Sequence, residues 1–172
     1  TGLCGTNHCV VLRTIGAVLA QMRRRCSGHD VNISSVLDIM PAPFMGLYAA
    51  SKHALEGMSE TLDHELRRSG IRVTLIEPSF TQTKLDVNTI ESNDRIAFYE
   101  SARREASASI FKKISVAAPP ESVAETIVAA AMGHWKMRHT PGKEATLLAT
   151  LRRFAPAAAF SKGLRKTFGM GE

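Results

Sequence analysis

Aromatic residues are scarce in this chain: 6% of 172 residues, with one tryptophan and two tyrosines. A nucleic-acid surface would interleave aromatics with a clustered basic stripe. Here the basic residues fall in short groups without interleaved aromatics: Arg23-Arg24-Arg25, Arg67-Arg68, Arg103-Arg104, Lys112-Lys113 and Arg152-Arg153. Most lie near the carboxyl ends of predicted helices, where cations suit the macrodipole. The net charge of +6 is therefore no nucleic-acid footprint. Cysteine is also sparse. Cys4, Cys9 and Cys26 are too few and odd in number for a disulfide framework. There is no Cys-x-x-Cys, and the six histidines share no ligand spacing, so no metal site is expected. The compartment expected is reducing and cytoplasmic. No uninterrupted apolar run reaches the ~18 residues of a membrane span, and no basic-then-apolar start marks a secretory signal. The first residue is Thr1, which is read as a processed terminus or as part of a longer chain.

What is present is an ordinary globular composition, 44% hydrophobic and 22% charged, enough for one domain with a core. Apolar residues at Val11, Ile15, Val18, Leu19 and Met22 predict a helix over about 7–25. "VNIS", 31–34, is a short strand, followed by a turn-prone stretch with Pro41, Pro43 and Gly46. A long helix is predicted over 47–69, with Gly70 as its cap. "IRVTLIE", 71–77, is the clearest strand, stopped by Pro78. A polar excursion turns helical over about 90–113. "APPESVAETIVAAAM" opens with prolines and an acidic first turn, so it reads as a helix start. A last short strand is expected near 137–140, then helices at about 143–153 and 156–168. The second of these is basic and amphipathic through Phe160, Leu164 and Phe168. It is read mainly as a face folded back on the core, with peripheral membrane contact as the alternative. Alternating helix and strand predicts a parallel α/β sheet with right-handed crossovers.

In such sheets ligands sit beyond the carboxyl ends of the strands. Ser35 follows the first strand and "PSFTQT" follows the second. Tyr48 and Lys52, in "YAASK", stand four apart at the start of the long helix and share a face. A free phenol near pKa 10 is a poor base. A neighbouring ammonium lowers that value and makes the phenol a general acid/base. Ser35 beside it would hydrogen-bond a carbonyl oxygen. No His/Asp pair is placed to make Ser35 a nucleophile. Metal-free proton transfer to oxygen points to alcohol/carbonyl interconversion, which needs a hydride carrier.

These residues resemble the second half of a short-chain dehydrogenase/reductase. "NISS", "YAASK" and "IEPSFTQT" carry the likeness, with Ser35 thirteen residues before Tyr48 and twenty-eight after Asn7. The tail "RHTPGKEATLLATLRRFAP" further resembles the 17-beta-hydroxysteroid and retinol dehydrogenase branch. The resemblance implies a Rossmann-like doubly wound parallel sheet. Only its carboxyl-terminal portion (strands 5-6-7 of the family sheet) is expected here, as a single partial domain over 1–172. It implies a catalytic set of Asn7 holding a relay water, Ser35 orienting the carbonyl, Tyr48 as acid/base and Lys52 gripping the nicotinamide ribose. Read from its position alone, Asn7 is a helix N-cap. The resemblance also implies cofactor contacts at Tyr48, Lys52, Pro78, Ser79, Thr81 and Thr83. Thr83 also reads as a turn residue. NAD or NADP would be the cofactor and an apolar alcohol or ketone the substrate. A homo-oligomer would form through the helices at 7–25 and 47–69. The family's Gly-rich phosphate turn has no match, so a non-catalytic remnant acting by association is the second expectation. Ser79 replaces a family glycine, Asp30 an apolar residue and Asp38 a glycine. A buried carboxylate at these positions needs a partner.

Overall fold

The computed structural model describes residues 2–83 and 96–170. Helix α1 spans Gly2–Arg25. Strand β1 is Gly28–Ile33, helix α2 is Gly46–Leu66 and strand β2 is Ile71–Ile76. Helices α3 (Glu100–Ser115) and α4 (Glu121–Met132) precede the two-residue strand β3 (Arg138–His139). Helices α5 (Gly142–Phe154) and α6 (Ala157–Thr167) close the chain. The three strands form one parallel sheet in the order β1-β2-β3.

The expected alternation is observed, and so is the packing it requires. Strand β2 is buried at nearly every position because helices cover it. Leu66, Ile71 and Val73 form one core cluster with Leu19, Met22 and Leu62 against it. A second cluster joins Leu37, Met40, Ala42 and Phe168, with Phe160 and Leu164 of α6 packed on it. The apolar face of α6 is thus spent on the core.

Several boundaries differ from the predicted ones. Strand β1 begins three residues early, at Gly28, because polar residues there find partners. His29 Nε2 lies 2.8 Å from Thr74 Oγ1, and Asn32 Nδ2 donates to Asp30 Oδ2 at 3.0 Å. Burial still pushes the Asp30 carboxyl up, opposed by Asn32 and His29. The first part of the helix predicted over 90–113 falls partly outside the described residues. The part described starts at Glu100. Helix α1 starts earlier than expected and contains a π-helical turn, Gly5–Cys9. No continuous apolar run was expected to reach membrane-spanning length. With scattered polar residues and few charges, α1 is nevertheless long and apolar enough by length and composition.

The joint between α2 and β2 is electrostatic. Asp63, 2% exposed, accepts hydrogen bonds from Arg72 Nε and Nη2, from Arg67 Nη2 and from the Val73 amide, all within 2.9–3.0 Å. Burial alone would raise its pKa, but these four donors outweigh it and hold the carboxyl below its ordinary range. Trp135 lies over the Arg72 guanidinium, 3.3 Å from ring centroid to Cζ, and donates its indole N–H to the Val73 carbonyl. Gly70, at φ 69°, ends this helix in the left-handed conformation.

Candidate active site

The carboxyl ends of β1 and β2 continue side by side beyond the regular sheet. The Ser34 amide donates to the Ile76 carbonyl at 2.8 Å, and the Val36 amide to Pro78 at 3.0 Å. This sets Ser35 beside the Pro78–Thr83 segment. Thr81 is bridged to Ala118, and the Gln82 amide donates to the Ala118 carbonyl at 3.1 Å, which ties the segment to the turn before α4.

One cavity of about 370 Å³ lies at this end of the sheet. Ser35, Tyr48, Lys52, Pro78, Ser79, Thr81 and Thr83 all line it. Seven of the eight expected site residues therefore share one space. The remaining wall is apolar. Met45 and Phe80 contribute, with Ile110 and Ile114 from α3 and Val123 and Ile127 from α4. The wall from α3 and α4 was not singled out from the sequence. Its signal was present as i, i+4 apolar pairs. The size and lining suit a small organic molecule with a few convergent polar groups.

Ser35 is buried, and its hydroxyl oxygen accepts the Leu37 amide at 3.2 Å. The same hydroxyl acts on the Tyr48 phenol and favours its ionised form. Lys52 donates its ammonium to the Ile33 carbonyl at 2.8 Å and lies 5.7 Å from the centroid of the Tyr48 ring. The net shift of Tyr48 runs opposite to the expected lowering. Burial raises the phenol, with Ser35 only partly opposing it. Burial also lowers the Lys52 ammonium, with the Glu56 carboxylate opposing. Desolvation is the largest cause for both groups.

Asn7 is the exception among the expected residues. It lies in the π-helical turn of α1, inside the helix and not at its N-cap. Its Nδ2 donates to Ser51 Oγ on α2 at 3.2 Å, and Ser51 Oγ donates to the Tyr48 carbonyl at 2.7 Å. Asn7 thus touches the turn that carries Tyr48 without lining the cavity. Such π-turns frequently mark functional positions. Ser79 donates its hydroxyl to Glu144 Oε2 of α5 at 2.8 Å, a use of the side chain that a glycine would lack.

Behind the cavity lies a charged cluster that sequence reasoning missed. The Arg138 guanidinium donates to Glu56 at 2.5 Å, to Glu60 at 2.8 Å and to Glu77. Ser34 Oγ donates to Glu56 Oε1 at 2.5 Å. Asp38, 7% exposed, lies against the same carboxylates. Burial, then Glu56 and the charge of Glu77, push the Asp38 carboxyl up to about 8. At neutral pH the Asp38 carboxyl is therefore largely protonated. Burial raises Glu77 too, opposed by Arg138.

Comparison with known proteins agrees with this geometry. The profile of the family described as "short chain dehydrogenase" matches residues 3–94. An uncharacterized oxidoreductase of Schizosaccharomyces pombe is 31% identical over 166 residues, covering 96% of this chain and 70% of that protein. Retinol dehydrogenase 8 of Bos taurus is 32% identical over 133 residues, 72% of this chain and 42% of that protein. A short-chain dehydrogenase/reductase from Burkholderia phymatum, solved in complex with NAD, superposes with a TM-score of 0.72 at 23% identity. It is matched over 87% of this chain and 54% of its own. A parallel sheet with Rossmann-like flanking helices, the shared cavity and a family match over more than half the sequence converge: this chain belongs to the short-chain dehydrogenase family.

Proposed function

We propose that this protein is a nicotinamide-dependent oxidoreductase that interconverts an alcohol and a carbonyl in the cavity at the strand ends. The observation that carries the reading is the convergence of Ser35, Tyr48 and Lys52 on one apolar space. The residues present fit the nicotinamide-ribose end of NAD or NADP. Lys52 Nζ spends one hydrogen bond on Ile33 and has two donors left for ribose hydroxyls. The Pro78–Thr83 backbone borders the same space. The cofactor, when bound, supplies or accepts the hydride.

The chain's own residues manage the proton. Ser35 donates to the substrate oxygen and fixes its position. Tyr48, kept as a phenol by burial, gives its proton to that oxygen as negative charge develops. Lys52 then stabilises the phenolate across the helix turn. The wall formed by Phe80, Ile110, Ile114, Val123 and Ile127 favours an apolar substrate of steroid, retinoid or lipid type. Asn7 serves the set by bracing Ser51 under the Tyr48 carbonyl.

The test is nicotinamide absorbance at 340 nm with hydroxysteroids, retinoids and simple alcohols, using the chain and Tyr48→Phe. Turnover that drops at least ~100-fold in Tyr48→Phe supports the reading. An unchanged rate overturns it.

A second reading is association without turnover. Helix α1 favours it: Leu3, Val10, Leu12 and Val18 are exposed and only Ile15 is buried. Calorimetric titration with NAD and NADP separates the two. Tight binding argues against the second reading. A stable oligomer that binds neither argues against the first.

A further inference from the structure

Tyr48, Lys52, Glu56 and Glu60 follow one another at four-residue steps along α2. A lysine and a glutamate at i and i+4 on one helix face are natural ion-pair partners. Lys52 does not take that partner. Its ammonium sits on the Ile33 carbonyl at 2.8 Å. The reason lies on the Glu56 side. Its Oε1 is taken by Ser34 and its Oε2 by Arg138, each at 2.5 Å. Arg138 also holds Glu60 and Glu77, so its guanidinium spans α2, the end of β2 and β3.

We propose that Arg138 is a positioning residue for the Tyr48/Lys52 pair, saturating Glu56 so that Lys52 remains on the Ile33 carbonyl at the cavity. The fork geometry of a guanidinium lets it bind three carboxylates at once, which a lysine in its place cannot reproduce. The carboxylates it holds come from two elements whose mutual position sets the site: Glu56 and Glu60 on α2, Glu77 after β2. Without Arg138, Glu56 loses one of its donors and turns toward the nearest remaining cation, Lys52. The ammonium leaves Ile33, and its charge is cancelled where Tyr48 needs it. The catalytic significance rests on the reading of Tyr48 and Lys52 as the acid/base pair. The placement of Lys52 does not.

The experiment uses the ionisation of Tyr48 and needs no turnover. The chain holds two tyrosines, Tyr48 and Tyr99, so absorbance at 295 nm against pH, with Tyr48→Phe subtracted, reports Tyr48 alone. Circular dichroism at each pH confirms the fold. Arg138→Met is expected to raise the Tyr48 apparent pKa, lowering the ionisation constant by about threefold or more. Adding Glu56→Gln, which cannot neutralise Lys52, is expected to return it to the wild-type value. A merely structural Arg138 would lower thermal stability in both variants and give no such return. An unchanged Tyr48 in Arg138→Met, or a double variant as shifted as the single one, overturns the proposal. If Arg138→Met does not fold, Arg138→Lys alone and with Glu56→Gln is read by the same two criteria. A failure to detect turnover in any variant bears on the proposed reaction and leaves this titration to decide the role of Arg138.

Discussion

Replacing Asp38 with asparagine should make the protein more stable, and the size of the gain can be worked from the site. Asp38 is buried and keeps its proton up to about pH 8, against an ordinary 3.8. Its folded-state pKa is raised, so the folded chain binds the proton more tightly than the unfolded chain does. Between about pH 4 and 8 the unfolded state ionises while the folded state does not, and stability falls as pH rises. At ~1.4 kcal/mol per pH unit the gap bounds the loss at roughly 6 kcal/mol. Part of that gap is repulsion from the neighbouring carboxylates, which relaxes as the site adjusts, so about 2–3 kcal/mol is the expected figure. An asparagine side chain has nearly the same shape as the protonated acid and, like it, carries no charge. Asp38→Asn should therefore raise Tm at pH 8 by roughly 4–9 °C and flatten the Tm–pH curve between 5 and 8. Differential scanning calorimetry at half-unit pH steps is the assay. A lower Tm at pH 8, or an undiminished slope, would show that Asp38 is ionised and paired in the folded state.

Other consequences of the packing are equally open to measurement. Asp63→Ala strands the Arg72 guanidinium and the Val73 amide and should cost about 3–5 kcal/mol in urea unfolding. The depressed Asp63 pKa has the opposite sign to that of Asp38. Its stabilisation is complete above about pH 4 and is lost as pH falls below that, so acid unfolding of the variant should lack this component. Gly70→Ala places a Cβ 2.2 Å from the Cys26 carbonyl oxygen at a φ of 69° and should cost more than about 2 kcal/mol by chemical denaturation. Phe168→Ala removes a fully buried ring packed with Leu37, Met40 and Ala42, and about 3–5 kcal/mol should be lost in the same assay.

The parts of the molecule legible in the sequence are those written in local pattern. Strand β2 is a run of β-branched residues closed by proline, and α2 is a regular apolar stripe ended by glycine. The placing of Ser35, Tyr48 and Lys52 around one cavity followed from strand ends and an i, i+4 step. What the sequence did not disclose depends on partners distant in the chain. Arg138 stands 61 residues from Glu77 and 82 from Glu56, and no local rule pairs them. The polar start of β1 looks unlike a strand until Thr74 and Asn32 are seen beside it. The sign of the Tyr48 shift needed the depth of burial, which residue type does not encode. Asn7 was found by spacing, yet its local setting was not, because a π-turn leaves no composition mark.

That turn has a consequence for what this chain tolerates by insertion or deletion. The Val10 amide reaches back five residues to the Gly5 carbonyl, so one surplus residue is absorbed between Gly5 and Cys9. Everything before it is out of phase, by about one residue's rotation of 100°, with the regular helix that follows. Losing a single residue there would restore a regular α-helix and swing Asn7 away from Ser51 while leaving Ile15 on the core. The π-turn is thus a phase-setting spacer, and the contact between α1 and the Tyr48 turn depends on residue count as much as on residue identity.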